Sequence, residues 1–198
     1  MNKAMRRDGF EYMDFDDFEE ALADKPAHEK WELIGGRVIR MMVGARWEHN
    51  VIVGNLAMEF RQQLRAREAS CQVFTETFWL KERFLDLAVF PDVMVRCGPR
   101  LERSAVSAHD PVVLVEVAGP GSEVRDRLEK DRLYRRLQTL QHYVIVDRDR
   151  SHIDVIDRID GEWRSRRVEG LAAALDLPAI GVSVPLREIY RDVIDAEG

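Results

Sequence analysis

The sequence is poor in the features that mark several protein classes. Its 198 residues hold 2 cysteines, Cys71 and Cys97, too few for a disulfide framework or for a four-ligand zinc site without several histidines. Both are expected to be reduced thiols. Apolar runs such as Pro111 to Val115 fall far short of the ~20 residues of a membrane-spanning helix. Charges stand near the N-terminus, where a secretory leader carries an apolar stretch. A cytoplasmic protein with no membrane attachment is the expectation. The phosphate-loop patterns G-x-G-x-x-G and G-x-x-x-x-G-K-[ST] are missing, as are G-x-S-x-G and H-E-x-x-H. Low-complexity tracts and internal repeats are missing too. Positive charge is not in excess: 30 Lys+Arg against 36 Asp+Glu give a net charge of −6. That excludes a protein that coats nucleic acid through a broad basic surface. Even the densest basic stretch, Arg125 to Arg136, interleaves Asp126, Glu129 and Asp131 and reads as a mixed helix. Any nucleic-acid site is therefore local.

What is present is ordinary globular usage, 45% apolar and 33% charged, in a length that suits one domain over 1–198 with a core at about 28–160. Asp14 to Ala23 has Phe15, Phe18, Ala21 and Leu22 at helical spacing. Trp31 to Ile34, Gly35-Gly36 and Val38 to Val43 read as a β-hairpin. From Arg46 to Arg67, Val53, Leu56, Ala57, Phe60 and Leu64 form the stripe of a long helix. Strands are expected at Gln72 to Leu80, Val93 to Cys97 and Pro111 to Ala118, then a helix at Glu123 to Leu137. Further strands fall at Gln141 to Asp147, His152 to Arg158 and Trp163 to Val168, with a short closing helix in Pro185 to Val193. This order predicts a mixed α/β sheet flanked by helices.

Two carboxylates stand out against the pattern. The strand Pro111 to Ala118 is almost wholly apolar and reads as buried on both faces, yet it carries Glu116. An ionised carboxylate there costs several kcal/mol unless a cation or a donor compensates, so it is either paired with an arginine, pointing out of the strand end, or part of a site. Asp92 opens the β-branched run Val93-Met94-Val95, and the 13 residues from Gly98 to Asp110 let the two strands return as neighbours. Converging carboxylates repel unless a cation sits between them, and hard oxygen donors suit Mg²⁺ or Mn²⁺. Lys130 lies on the helix face of Leu133, Tyr134 and Leu137, which should press on the sheet. It either reaches the Glu116 strand or snorkels to the surface. Ser151, His152 and Asp154 make no triad, because neighbouring residues on a strand alternate faces.

These segments together resemble the Uma-two family, a bacterial group assigned to the PD-(D/E)xK restriction-endonuclease-like superfamily. The matching stretches are Trp31 to Val38, Glu48-His49-Asn50, Pro91 to Val95, Leu114 to Val117, Asp126 through Lys130 to Tyr134, Leu140 to Asp147 and Leu177 to Val182. The resemblance implies an αβββαβ nuclease core in which Asp92 and Glu116 ligate metal. It departs from the superfamily at Ala118, where a lysine is expected, and Lys130 is the candidate substitute. It departs again at Gly119, where the family tends to have serine in a Ser-Pro-Ser loop.

Glu32 lies between Trp31 and Leu33 and is either a solvent-facing hairpin residue or an outer metal ligand. His49, near the start of the long helix, either makes a structural hydrogen bond or stands near a phosphate. The expected activity is Mg²⁺- or Mn²⁺-dependent hydrolysis of DNA, with Asp92, Glu116 and Lys130 as the catalytic set. A two-fold homodimer is expected if both strands of a duplex are cut. A nuclease fold kept as a binding or regulatory module, or a hydrolase of another phosphodiester, are the competing readings. A solvent-pointing Lys130 would favour the binding module, and a groove too narrow for a duplex the other hydrolase.

Overall fold

The structure, a computed structural model, describes residues 5–7, 10–42, 44, 46–119 and 124–194, with the side chains of 5–7, 42 and 124–127 left aside. Val43 of the expected hairpin, Glu123 of the expected helix and the loop positions Pro120 to Ser122 lie outside the described residues.

The chain begins with β1 (Met5–Arg7), β2 (Phe10–Tyr12) and the short helix α1 (Phe15–Ala21), whose first turn is capped by the Asp14 carboxylate accepting from Asp17 N–H. The hairpin β3 (Glu29–Ile34) and β4 (Arg37–Met42) follows. Its turn places Gly35 and Gly36 at φ +57° and +84°, the two left-handed positions that a tight two-residue hairpin demands. Next is α2 (Trp47–Ala66), whose apolar stripe of Val53, Leu56, Ala57, Phe60 and Leu64 is buried. Each of the larger side chains gives roughly 1.5–3 kcal/mol on burial.

The strands β5 (Cys71–Thr75), β6 (Trp79–Glu82), β7 (Leu87–Val89), β8 (Val93–Cys97), β9 (Ser107–Ala108) and β10 (Pro111–Ala118) lead to α3 (Val124–Tyr134). The chain closes with β11 (His142–Asp147), β12 (His152–Ile159), β13 (Glu162–Glu169), the hairpin β14 (Ala174–Leu177) and β15 (Val182–Pro185), and α4 (Leu186–Ile189).

Two sheets face each other. The first is mixed, in the order β13-β12-β11-β10-β8-β5, with β10 parallel to β11 and antiparallel to β8. The second runs β1-β2-β4-β3-β7-β6-β9. Alternation along β10 sends Val113, Val115 and Val117 to one core, with α2, β15 and α4, and Leu114 to another, with Leu133 and Tyr134 of α3 and Ile34 of β3. A third cluster joins Phe18 of α1 to Trp31 and Leu33. The fully buried Arg37 guanidinium grips Glu129 through Nε at 2.9 Å and Nη2 at 2.8 Å, which pins α3 over the second sheet. Among the described residues no helix is long and apolar enough to cross a membrane.

Three expectations need correction. The run read as one strand from Gln72 to Leu80 is two, β5 and β6, in different sheets, because the chain turns at Glu76 to Phe78. The closing helix is shorter than Pro185 to Val193 and is preceded by the β14–β15 hairpin. The two cysteines are not reduced thiols: Cys71 and Cys97 sit directly opposite each other on β5 and β8, Cα atoms 4.0 Å apart, and are joined in a disulfide. Counting cysteines excludes a framework of bridges but not a single staple created by strand register.

Candidate active site

Strand register assembles the site. Val93 of β8 faces Val115 of β10, so Asp92, just before β8, comes beside the Glu116–Val117 step. Asp92 Oδ2 accepts a hydrogen bond from Val117 N–H at 2.6 Å. On the other side of β8, Thr75 faces Val93, which brings Glu76 next to Asp92.

Glu116 shares the face of Leu114 and so points to the second sheet and α3. There Lys130 Nζ lies 3.2 Å from Glu116 Oε1 and 3.3 Å from Glu32 Oε2. The Tyr134 hydroxyl, one helical turn after Lys130, donates to the same Glu116 oxygen at 2.8 Å. Glu32 is 3% exposed and turned away from Trp31 and Leu33. Its Oε1 accepts from Phe90 N–H at 2.9 Å, so one carboxylate ties the segment before Asp92 to the lysine. Lys130 does not point to solvent; it occupies the space between two carboxylates.

His49, in the first turn of α2, places Nε2 3.2 Å from Asp92 Oδ2 and Nδ1 3.4 Å from Glu76 Oε1. The Nδ1 atom is buried and lacks an aligned hydrogen bond. His49, Glu76 and Asp92 each offer a ligand atom within 4.8 Å of the others.

The electrostatics follow from this crowding. Burial pushes the Glu116 carboxyl up to about 7; Lys130 opposes the shift, Asp92 and Glu32 add to it, and the Tyr134 hydrogen bond opposes it again. Burial would lower the Lys130 pKa, but Glu116, Glu32 and Asp92 outweigh it and hold the ammonium well above its usual value. Burial and Glu116 raise the Tyr134 phenol, so it remains a donor. The hydrogen bond to Asp92 raises His49 against the opposing effect of burial.

The structure thus brings Asp92, Glu116, Lys130, Glu32 and His49 into one centre. Two members escaped the sequence reading. Glu76 was hidden inside an expected continuous strand, although the Thr75-Glu76-Thr77 break in apolar pattern was a usable signal. Tyr134 was read only as core. Gly119 leaves room for Arg148, since a Cβ there would stand 2.5 Å from Nη1; a serine at this position requires the guanidinium to shift. Phosphate contacts by the following loop, Pro120 to Ser122, fall outside the described residues.

Comparison with known proteins agrees with this architecture. An uncharacterized protein of Synechocystis, slr1290, is 30% identical over 164 residues, 82% of this chain and 84% of that one. A second Synechocystis protein, sll1609, also uncharacterized, is 25% identical over 156 residues, 77% of this chain and 86% of that one. A crystal structure from Anabaena variabilis, described as "a putative nuclease belonging to DUF820", superposes with a TM-score of 0.69 at 15% identity, covering 90% of this chain and 97% of that one. The fold is that of the restriction-endonuclease-like nucleases. Residues 15–187 match the family described as "Putative restriction endonuclease", and the chain belongs to that family, Uma2.

Proposed function

We propose that the chain is a divalent-metal-dependent endonuclease that hydrolyses DNA phosphodiester bonds at the Asp92–Glu116–Lys130 centre. The observation that carries this reading is the imbalance of buried charge: Glu32, Asp92 and Glu116 crowd one lysine, with Glu76 beside Asp92. Such a group must take up protons or a cation. The donor set fits a divalent cation, because carboxylate oxygens of Glu76 and Asp92 converge with a ring nitrogen of His49 within 4.8 Å of one another, and His49 Nδ1 is buried without an aligned hydrogen bond.

Asp92 and Glu116 would hold the ion, with His49 and Glu76 as flanking ligands. When bound, it supplies Lewis-acid polarisation of a phosphoryl oxygen and a lowered pKa for an attacking water. The chain's own contribution is orientation and charge. Val117 N–H fixes Asp92, and Tyr134 with Lys130 fixes Glu116. The Lys130 ammonium, held cationic by Glu116 and Glu32, stabilises the negative charge that develops on phosphorus. In this role it replaces the strand lysine missing at Ala118. If both strands of a duplex are cut, two such centres are needed, which a two-fold dimer would supply.

The test is incubation of single-stranded, linear duplex and circular DNA with the protein in Mg²⁺, Mn²⁺ or EDTA. The wild type should cut only with metal, and Lys130→Met and Asp92→Ala should not cut. Cutting by Asp92→Ala at the wild-type rate would remove the site from the mechanism, and no cutting by the wild type would leave a binding module.

A further inference from the structure

The metal-ligand candidates do not open onto a bare surface. They line a cleft of about 880 Å³ that is also lined by residues of the β3–β4 hairpin, the start of α2 and Phe90. Trp31, Trp47 and Phe90 line it, together with Lys25, Glu29 and Lys30. Trp31 is 8% exposed and braced by the Arg40 guanidinium 4.3 Å from its ring; Phe90 is backed by Trp79 at 3.6 Å between centroids. Lys30 Nζ stands 5.1 Å from the centre of the Phe90 ring. Trp47, in contrast, is 60% exposed, a large indole at the mouth, in the same helical turn as His49.

We infer that this cleft receives the base of an unpaired nucleotide, so that the preferred substrate is single-stranded DNA. The inference rests on the nuclease reading above and specifies its substrate. Aromatic side chains grip a nucleobase through its face, and in a duplex those faces are covered by neighbouring base pairs. A phosphate at Asp92 and a base against Trp47 can coexist only where the base has left the stack. The volume lies within the usual range for pockets that enclose a small organic ligand, and lysines beside aromatic rings are the pairing found where single strands are bound without sequence readout. A single-strand substrate also needs only one centre and removes the demand for a dimer.

The test is fluorescence anisotropy with a short fluorescein-labelled phosphorothioate DNA, resistant to hydrolysis, as single strand and as duplex in Mg²⁺. Wild type, Trp47→Ala and Trp47→Phe are compared. The single strand should bind at least about ten-fold tighter than the duplex. Trp47→Ala should lose about ten-fold on the single strand with no change on the duplex, and Trp47→Phe should recover most of the loss. Equal or tighter duplex binding, no effect of Trp47→Ala, or no binding of either DNA overturns the inference. Parallel cleavage of unmodified DNA separates the two claims. Duplex and single strand cut alike by wild type and Trp47→Ala would keep the nuclease and discard the cleft. Trp47-dependent binding without cutting would keep the cleft and discard the hydrolysis.

Discussion

Two buried polar clusters are built on the same six-stranded sheet, and they are constructed on opposite principles. At one end, His142 of β11 faces Asp157 of β12, with Nδ1 2.6 Å from Asp157 Oδ1. Ala179 N–H donates to Nε2 at 3.2 Å, which places the ring proton on Nδ1. Arg166 Nε holds the other Asp157 oxygen at 2.6 Å. One anion meets one cation and one neutral ring, so that cluster is closed and needs nothing more. At the other end, Lys130 lies between Glu32 and Glu116 while His49 lies between Asp92 and Glu76, four carboxylates against one lysine and one histidine, and the cluster opens through Asp92 and His49 onto an aromatic cleft. Burial of charge alone therefore does not mark a functional site. An uncompensated surplus of one sign, with an entrance, does.

Substitutions sharpen this contrast. The largest effect is expected for Asp92→Ala, which should lower metal-dependent cleavage by about a thousand-fold or more while circular dichroism remains that of the wild type. Lys130→Met leaves Glu32 and Glu116 without their cation. It should destabilise the metal-free protein by about 3–5 kcal/mol in urea unfolding, and added Mn²⁺ should recover part of that loss. In the closed cluster, Arg166→Met should cost about 1 kcal/mol or less, since Arg166 is 36% exposed and its pair is screened by solvent, and Mn²⁺ should recover none of it. An equal response of the two variants to metal would erase the distinction between the clusters. Glu76→Gln should weaken Mn²⁺ binding by about ten-fold, as read by calorimetry.

The smallest effect concerns pH. Burial lowers the pKa of His142 below its ordinary 6.5, Asp157 opposing. The folded state thus resists protonation that the unfolded chain accepts. The contribution is whole above pH 6.5 and is lost as pH falls through the lowered folded value. Urea unfolding followed as a function of pH should show this loss in the wild type and a flatter profile in His142→Gln.

Much of the site was legible because charge interrupts pattern. Glu116 in an apolar strand, Asp92 before a β-branched run and Lys130 on the apolar face of a helix are each costly unless they meet, and the sheet brings them together. The placement of Glu76 beside Asp92 and the Cys71–Cys97 bridge were not legible, since both depend on the pairing of β5 with β8, which no local spacing encodes. Beyond the β3–β4 hairpin, much of the second sheet was hidden for a different reason. Its strands β6, β7 and β9 span four, three and two residues, too short for alternation to register. Tyr134 illustrates the converse: its apolar ring packs edge-on against Tyr143 at 5.1 Å, as its helical position predicts, while its hydroxyl serves Glu116.

The central claim is that the surplus of carboxylates exists to hold a divalent cation. Calorimetric titration of Mn²⁺ into the wild type and into Asp92→Ala addresses it without reference to any substrate. The account predicts saturable binding by the wild type that is lost in Asp92→Ala; binding of equal strength by both proteins, or by neither, would contradict it.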